Sequence, residues 1–170
     1  MSNAEATPPR RPTGSRRLAR LGAVQALYQI ELSASNPELT IAEFIQYRLG
    51  QEIEGDQYAE ADADWFADIV RGVCAKQAEL DPAIAEFLSK DRQVVRLEAI
   101  LRAILRAAAY EIMLRIDVPA RVVINEYVSV ASAFFSGTEP TLVNAVLDRL
   151  AHRYRAEEMA RPAAGGHGRG

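Results

Sequence analysis

The sequence predicts an all-α fold, and three observations carry that reading. Apolar residues recur at helical spacing through most of residues 16–155. No stretch shows the strict alternation of a strand bounded by hairpin turns. Breaks at Asn36-Pro37, Asp81-Pro82, Asp117-Val118-Pro119 and Ser136-Gly137-Thr138 ahead of Pro140 cut the chain into helix-length pieces. At 170 residues, 49% of them apolar, the chain has material for a proper core in one domain or two tightly joined halves. About seven helices fit this pattern.

Residues 1–15, rich in Pro, Thr, Ser and Arg, have nothing to bury and are expected to form a disordered basic arm. The first helix runs from Arg16 to Leu32, with Leu21, Val24, Leu27 and Tyr28 on its apolar face. Asn36-Pro37 ends it, and Thr40 with Glu43 has the spacing of a capping box. Ile41, Phe44, Ile45 and Leu49 line the second helix, which an acidic connection, 50–60, follows. Trp65, Phe66, Ile69, Val70 and Val73 mark a third helix over 62–80, and Asp81-Pro82 caps and opens a short fourth. The longest helix is expected over 94–115, with Leu101, Ile104, Leu105, Ala108 and Ile112 as one apolar seam and a Glu98–Arg102 pair on its surface. A sixth helix starts at Ala120 and buries Val123, Tyr127, Ala131 and Phe134. A seventh starts at Pro140, and 156–170 reads as a loose tail of Ala, Gly, Pro and Arg.

Charge is unevenly placed. Arg10, Arg11, Arg16, Arg17 and Arg20 face only Glu5 within the first twenty residues, in a chain whose formal net charge is −3. Cations at a helix N-terminus oppose the helix dipole, so helix stability does not explain them. Basic N-terminal arms often bind nucleic acid; the plain alternative is a solvated leader. Cys74 is the sole cysteine and reads as a core filler, which excludes a disulfide framework or thiolate cage. His152 and His167 lack zinc spacing, and Asp62, Asp64 and Asp68 suit a helix N-terminus better than a metal. No cofactor loop, catalytic triad spacing or metal set is evident, so no enzyme, metal or cofactor is expected. No apolar run approaches the roughly 20 residues of a membrane span, and no secretory signal opens the chain. A cytoplasmic protein without membrane contact is the expectation.

Three ordered stretches make the reading specific. They are Arg16-Arg17-Leu18-Ala19-Arg20 with Ala23-Val24-Gln25-Ala26-Leu27-Tyr28-Gln29; Leu105 to Ile112 with Asp117-Val118-Pro119 and Val122-Val123-Ile124-Asn125-Glu126; and Val143-Asn144-Ala145-Val146-Leu147-Asp148. Together they resemble NusB, the bacterial transcription antitermination factor family, over residues 16–155. The resemblance implies two packed helical subdomains and a role without catalysis. It implies binding of boxA-type single-stranded RNA in ribosomal RNA leader transcripts, jointly with the small-subunit ribosomal protein that acts as NusE. The pair would join the RNA polymerase elongation complex with other Nus factors and help it read through terminators.

By position, the resemblance places Arg16, Arg17 and Arg20 on RNA at an exposed helix start, with Arg10 and Arg11 added by charge. Guanidinium suits this task, since it forks onto phosphate and stacks on unpaired bases. Tyr28 matches a partner-facing tyrosine, while a core tyrosine is the other reading. Asn144 follows the RNA-facing turn, where Thr138 is the one plausible polar contact because charged family residues are replaced by Ser136 to Thr141. Asn125 is expected to tie two helices together. Leu101 stands where the family carries an acid on its partner surface, leaving Glu98 as the nearest carboxylate. Rival functions are a helical protein-interaction adaptor without direct RNA binding, a methyltransferase-linked domain, and a duplex-DNA binder. The second needs an α/β domain and the third a basic recognition helix, and neither is evident in this sequence.

Overall fold

The computed structural model describes residues 14–49, 61–90 and 92–162. Arg10, Arg11 and the acidic connection lie outside the described residues. Among those described, the elements are α1 (Ser15–Ser33), α2 (Pro37–Tyr47), α3 (Ala63–Glu86), a 3-10 turn (Val94–Arg96), α4 (Ala99–Leu114), α5 (Ala120–Phe134), α6 (Glu139–Tyr154) and α7 (Ala156–Ala160). They form an all-α protein without strands among the described residues.

α4 is the hub. It packs against α1 and α3 of the N-terminal half and against α5 and α6 of the C-terminal half. Every residue from Leu101 to Ile112 is buried, so the helix has no solvent face there, and the expected single seam is corrected. A helix enclosed on all sides must be apolar all round or pair its polar members. Arg102 accordingly meets Glu31 of α1 and the carbonyls of Val94 and Val95, rather than Glu98. Arg106 forks onto Asp81 of α3 at 2.7 and 2.8 Å. Ala107, Ala108 and Ala109 are fully buried, where their small side chains let neighbours approach. Gly72 of α3 does the same from the other side: a Cβ there would fall 2.2 Å from Cζ of Tyr110.

Several expected boundaries shift. α2 is capped by Asn36, whose side chain accepts from the N–H groups of Glu38 and Leu39, with Pro37 in the first turn. The Asn-Pro pair therefore starts a helix, and Thr40 lies inside it, donating to the Asn36 carbonyl at 3.0 Å. Asp62, expected at the N-terminal end of this helix, is the cap of α3 and accepts from Trp65 N–H at 2.9 Å. Pro82 does not open a new helix; α3 runs through it. An interior proline costs about 3 kcal/mol. Leu80, Ala83 and Ile84 are buried around it, and full burial of a large aliphatic side chain contributes about 1.5–3 kcal/mol, so packing offsets the break.

The C-terminal tail is also more ordered than expected, because α7 docks with Met159 buried. Arg155, between α6 and α7, donates to the carbonyls of Ile112, Val118, Glu111 and Arg115 at 2.7, 3.0, 3.2 and 2.8 Å. Of these, the Ile112 carbonyl lies in the last turn of α4, where no intrahelical partner remains. Glu158 pairs with Arg155 and accepts from Ala120 N–H at the start of α5, both at 2.7 Å.

Candidate nucleic-acid and partner interface

The first turn of α1 carries no acid and no side-chain cap, an unfavourable place for cations. Arg16 and Arg17 there, and Arg20 one turn further on, resolve this in different ways. Arg17 is exposed and forks onto Glu126 of α5 at 3.0 and 3.2 Å. Arg16, also exposed, lies over the Trp65 ring at 4.1 Å, with Asp62 at 3.9 Å. Arg115 lies 4.3 Å from the same ring centroid and is itself held by Asp68 at 2.7 Å and Asp117 at 3.2 Å. Tyr110 donates to Asp68 at 3.1 Å, so the indole and both guanidiniums sit in one fixed cluster.

Arg20 departs from expectation. It is only 3% exposed and donates to both oxygens of Glu111 at 2.8 and 2.9 Å. Tyr127 donates to the same carboxylate. Burial, reinforced by the Glu111 charge, pushes the Tyr127 hydroxyl well above its ordinary pKa, so it remains a neutral donor. Arg20 is therefore removed from the RNA-contact set. It neutralises a carboxylate in the core, where an unpaired charge is very costly.

Tyr28 follows Arg17 by eleven residues. That is about three turns and about 16 Å along the axis, on the same face of α1. It is 36% exposed, so it is not a core tyrosine. Its ring lines a groove of about 660 Å³ with Gln25, Leu32, Tyr47, Arg48, Ile100 and Phe134. Apolar and aromatic side chains with a few polar tips are the composition of a protein-binding patch.

A second groove, of about 310 Å³, brings Glu98, Leu101 and Thr138 together with Arg92 and Arg96. Glu98 and Thr138 are exposed, but Leu101 is 4% exposed. Leu101 thus forms the floor beneath Glu98 and is corrected from a surface contact to a core residue. Asn144 is exposed on α6, open to a ligand. Asn125 is exposed on α5 as well, so the expectation that it ties two helices together is corrected.

Sequence reasoning missed Arg115 and Arg48, which are remote in sequence from the α1 residues they join, and Arg92 and Arg96, which lie just ahead of Glu98. Nothing in the local pattern marks them, since surface arginines carry no periodic signal. Among the described residues no cluster of His, Cys, Asp or Glu is arranged to hold a metal ion. No helix among them is long and apolar enough to cross a membrane.

Residues 17–152 match the NusB family. The chain belongs to that family. A Transcription antitermination protein NusB of Bartonella tribocorum is 52% identical over 145 residues, 85% of this chain and 93% of that protein. One from Nitrobacter hamburgensis is 53% identical over 143 residues, covering 84% and 89%. NusB of T. maritima superposes with a TM-score of 0.69 at 26% identity, over 86% of this chain and 97% of the other. A structure of the antitermination factors NusB and NusE in complex with dsRNA gives 0.68 at 23% identity, over 84% and 99%, a likeness of fold. The family match begins at Arg17 and spans both grooves, so the surfaces described above belong to the NusB-like body.

Proposed function

We propose that this protein is a non-catalytic transcription antitermination factor. It binds boxA-type single-stranded RNA in ribosomal RNA leader transcripts, together with the small-subunit ribosomal protein acting as NusE, and helps RNA polymerase read through terminators. The observation carrying this reading is the family match along residues 17–152. RNA contacts are assigned to Arg16, Arg17, Thr138 and Asn144, with Arg10 and Arg11 added by charge. Partner contacts are assigned to Tyr28 and Glu98.

The arrangement suits joint binding. Arg17 and Tyr28 share one face of α1, so RNA at the helix start and a protein on the Tyr28 groove lie side by side. Linking two weak RNA surfaces raises effective concentration without a new contact on either. The test is a titration of labelled boxA-type single strand, unrelated single strand and duplex RNA, each with and without NusE. Tighter binding of the boxA-type strand by the pair than by this chain alone supports the reading. Direct NusE binding without any RNA affinity in the pair favours the adaptor instead.

A further inference from the structure

The Asn125-Glu126 pair has no part in the contacts assigned so far, yet Glu126 holds one of the exposed arginines. Its carboxylate takes the Nε and Nη2 edge of Arg17, the same two-pronged edge that would grip a phosphate. The side chain of Glu126 is 19% exposed against 61% for Arg17, so the acid is anchored in the helix surface while the arginine reaches to it. The hydrogen bond and charge of Glu126 hold the Arg17 guanidinium even more firmly protonated. Arg16 and Arg115 are faced in the same way by Asp62, Asp68 and Asp117. The basic start of α1 is therefore neutralised within the folded chain.

We infer that Glu126 is a specificity-determining residue, an internal competitor that occupies the phosphate-gripping edge of Arg17 and suppresses binding of unselected polyanions. This rests on the RNA-binding reading above. A phosphate approaching Arg17 must displace the carboxylate or sit beside a like charge. A strand offering only phosphates gains little from that exchange. A strand that also places bases or bridges to a protein partner makes contacts that offset it. Discrimination then arises from a repulsive element as much as from attractive ones.

The experiment compares wild type, Glu126→Gln, Arg17→Ala and the double variant for binding to unrelated single-stranded RNA and to boxA-type RNA with NusE. Glutamine keeps the shape and one acceptor but removes the charge. Expected for Glu126→Gln is a gain of about two- to fivefold in affinity for unrelated RNA, the range spanned by an exposed ion pair. The salt dependence should steepen by about 0.7, one further phosphate neutralised. Affinity for the boxA-type complex should change less, so discrimination falls, and the gain should vanish in the Arg17→Ala background. Unchanged or weaker binding of unrelated RNA by folded Glu126→Gln, while Arg17→Ala weakens binding, overturns the role of Glu126 alone. Absence of RNA binding by wild type with or without NusE overturns both readings. A thermal melt of each variant separates charge effects from unfolding, and Glu126→Ala provides a second substitution should glutamine perturb the helix.

Discussion

Arg17 and Arg20 stand one helical turn apart on α1 and meet opposite surroundings. Arg17 reaches over solvent to Glu126, whereas Arg20 is sealed against Glu111 in the core. The difference separates the proposed binding role of Arg17 from the structural role of Arg20 within a single run of arginines. Arg20→Ala should destabilise the fold by about 3–5 kcal/mol, because Glu111 would be left as an unpaired buried charge. Urea titration measures this directly, and a loss under about 1 kcal/mol would count against the buried pair.

Arg16→Ala with Arg17→Ala gives the complementary result. Each side chain makes one exposed ion pair, worth at most about 1 kcal/mol, and Arg16 adds a cation–π contact of about 0.5–1 kcal/mol on Trp65. The double variant should stay folded and lose RNA affinity, with a shallower salt dependence. A folded double variant with wild-type affinity would remove the start of α1 from the interface. Including Arg20 in the same set would mix unfolding with lost contacts.

The residue pattern made the helices legible because each buries a stripe whose spacing is written locally. It placed Asp62 at the start of α3, and the spacing of Trp65, Phe66, Ile69, Val70 and Val73 gave the buried side of that helix. It missed the enclosure of α4, since one helix read alone cannot reveal how many neighbours surround it. Pro82 misled because tertiary packing overrode a strong local preference. The tail misled because the anchor of α7 is the long-range grip of Arg155 on the end of α4. At the candidate site, the resemblance pointed to the arginines at the start of α1, but only folding shows which of them turns inward.

Gly72 offers a test of the α3–α4 contact. Alanine is favoured over glycine in a helix by about 1 kcal/mol. Its Cβ here would meet Tyr110 at Cζ, Cε2 and Oη within 2.2, 2.3 and 2.7 Å. The Tyr110 hydroxyl is tied to Asp68, so the ring cannot swing aside without losing that bond. Overpacking of this kind costs about 1–3 kcal/mol. Gly72→Ala should therefore lower the melting temperature, whereas a rise would mean that the interface has room to give.

Acid should loosen the C-terminal clasp. Burial alone would raise the Glu158 carboxyl, but the Ala120 N–H and the Arg155 guanidinium more than offset it, leaving its pKa below the ordinary value. The folded state then stays charged at pH values where the unfolded chain has taken up a proton. This contribution is complete above the ordinary glutamate value of about 4.3 and is lost as pH falls through the lower folded value. Glu158→Gln keeps an acceptor for Ala120 but abolishes the titration. Its thermal stability should fall less steeply than that of wild type between about pH 5 and pH 3. Parallel slopes for the two proteins would show that the clasp does not depend on the Glu158 charge.

Tyr28 decides whether the groove at the far end of α1 is a docking surface. A buried aromatic truncated to alanine costs about 3–5 kcal/mol of stability. Tyr28 is only partly covered, by side chains that line an open groove, so Tyr28→Ala should lose well under that amount. An aromatic anchor at the centre of a partner interface costs about 1–2 kcal/mol or more of affinity when removed. Calorimetry with NusE, run beside a thermal melt, should then show partner affinity falling by about tenfold or more in a protein that melts close to wild type. A low melt accompanied by weak binding would mean that Tyr28 acts through the fold. Wild-type affinity in a well-folded variant would move the docking surface elsewhere, with the Glu98 groove the next face to probe by Glu98→Lys.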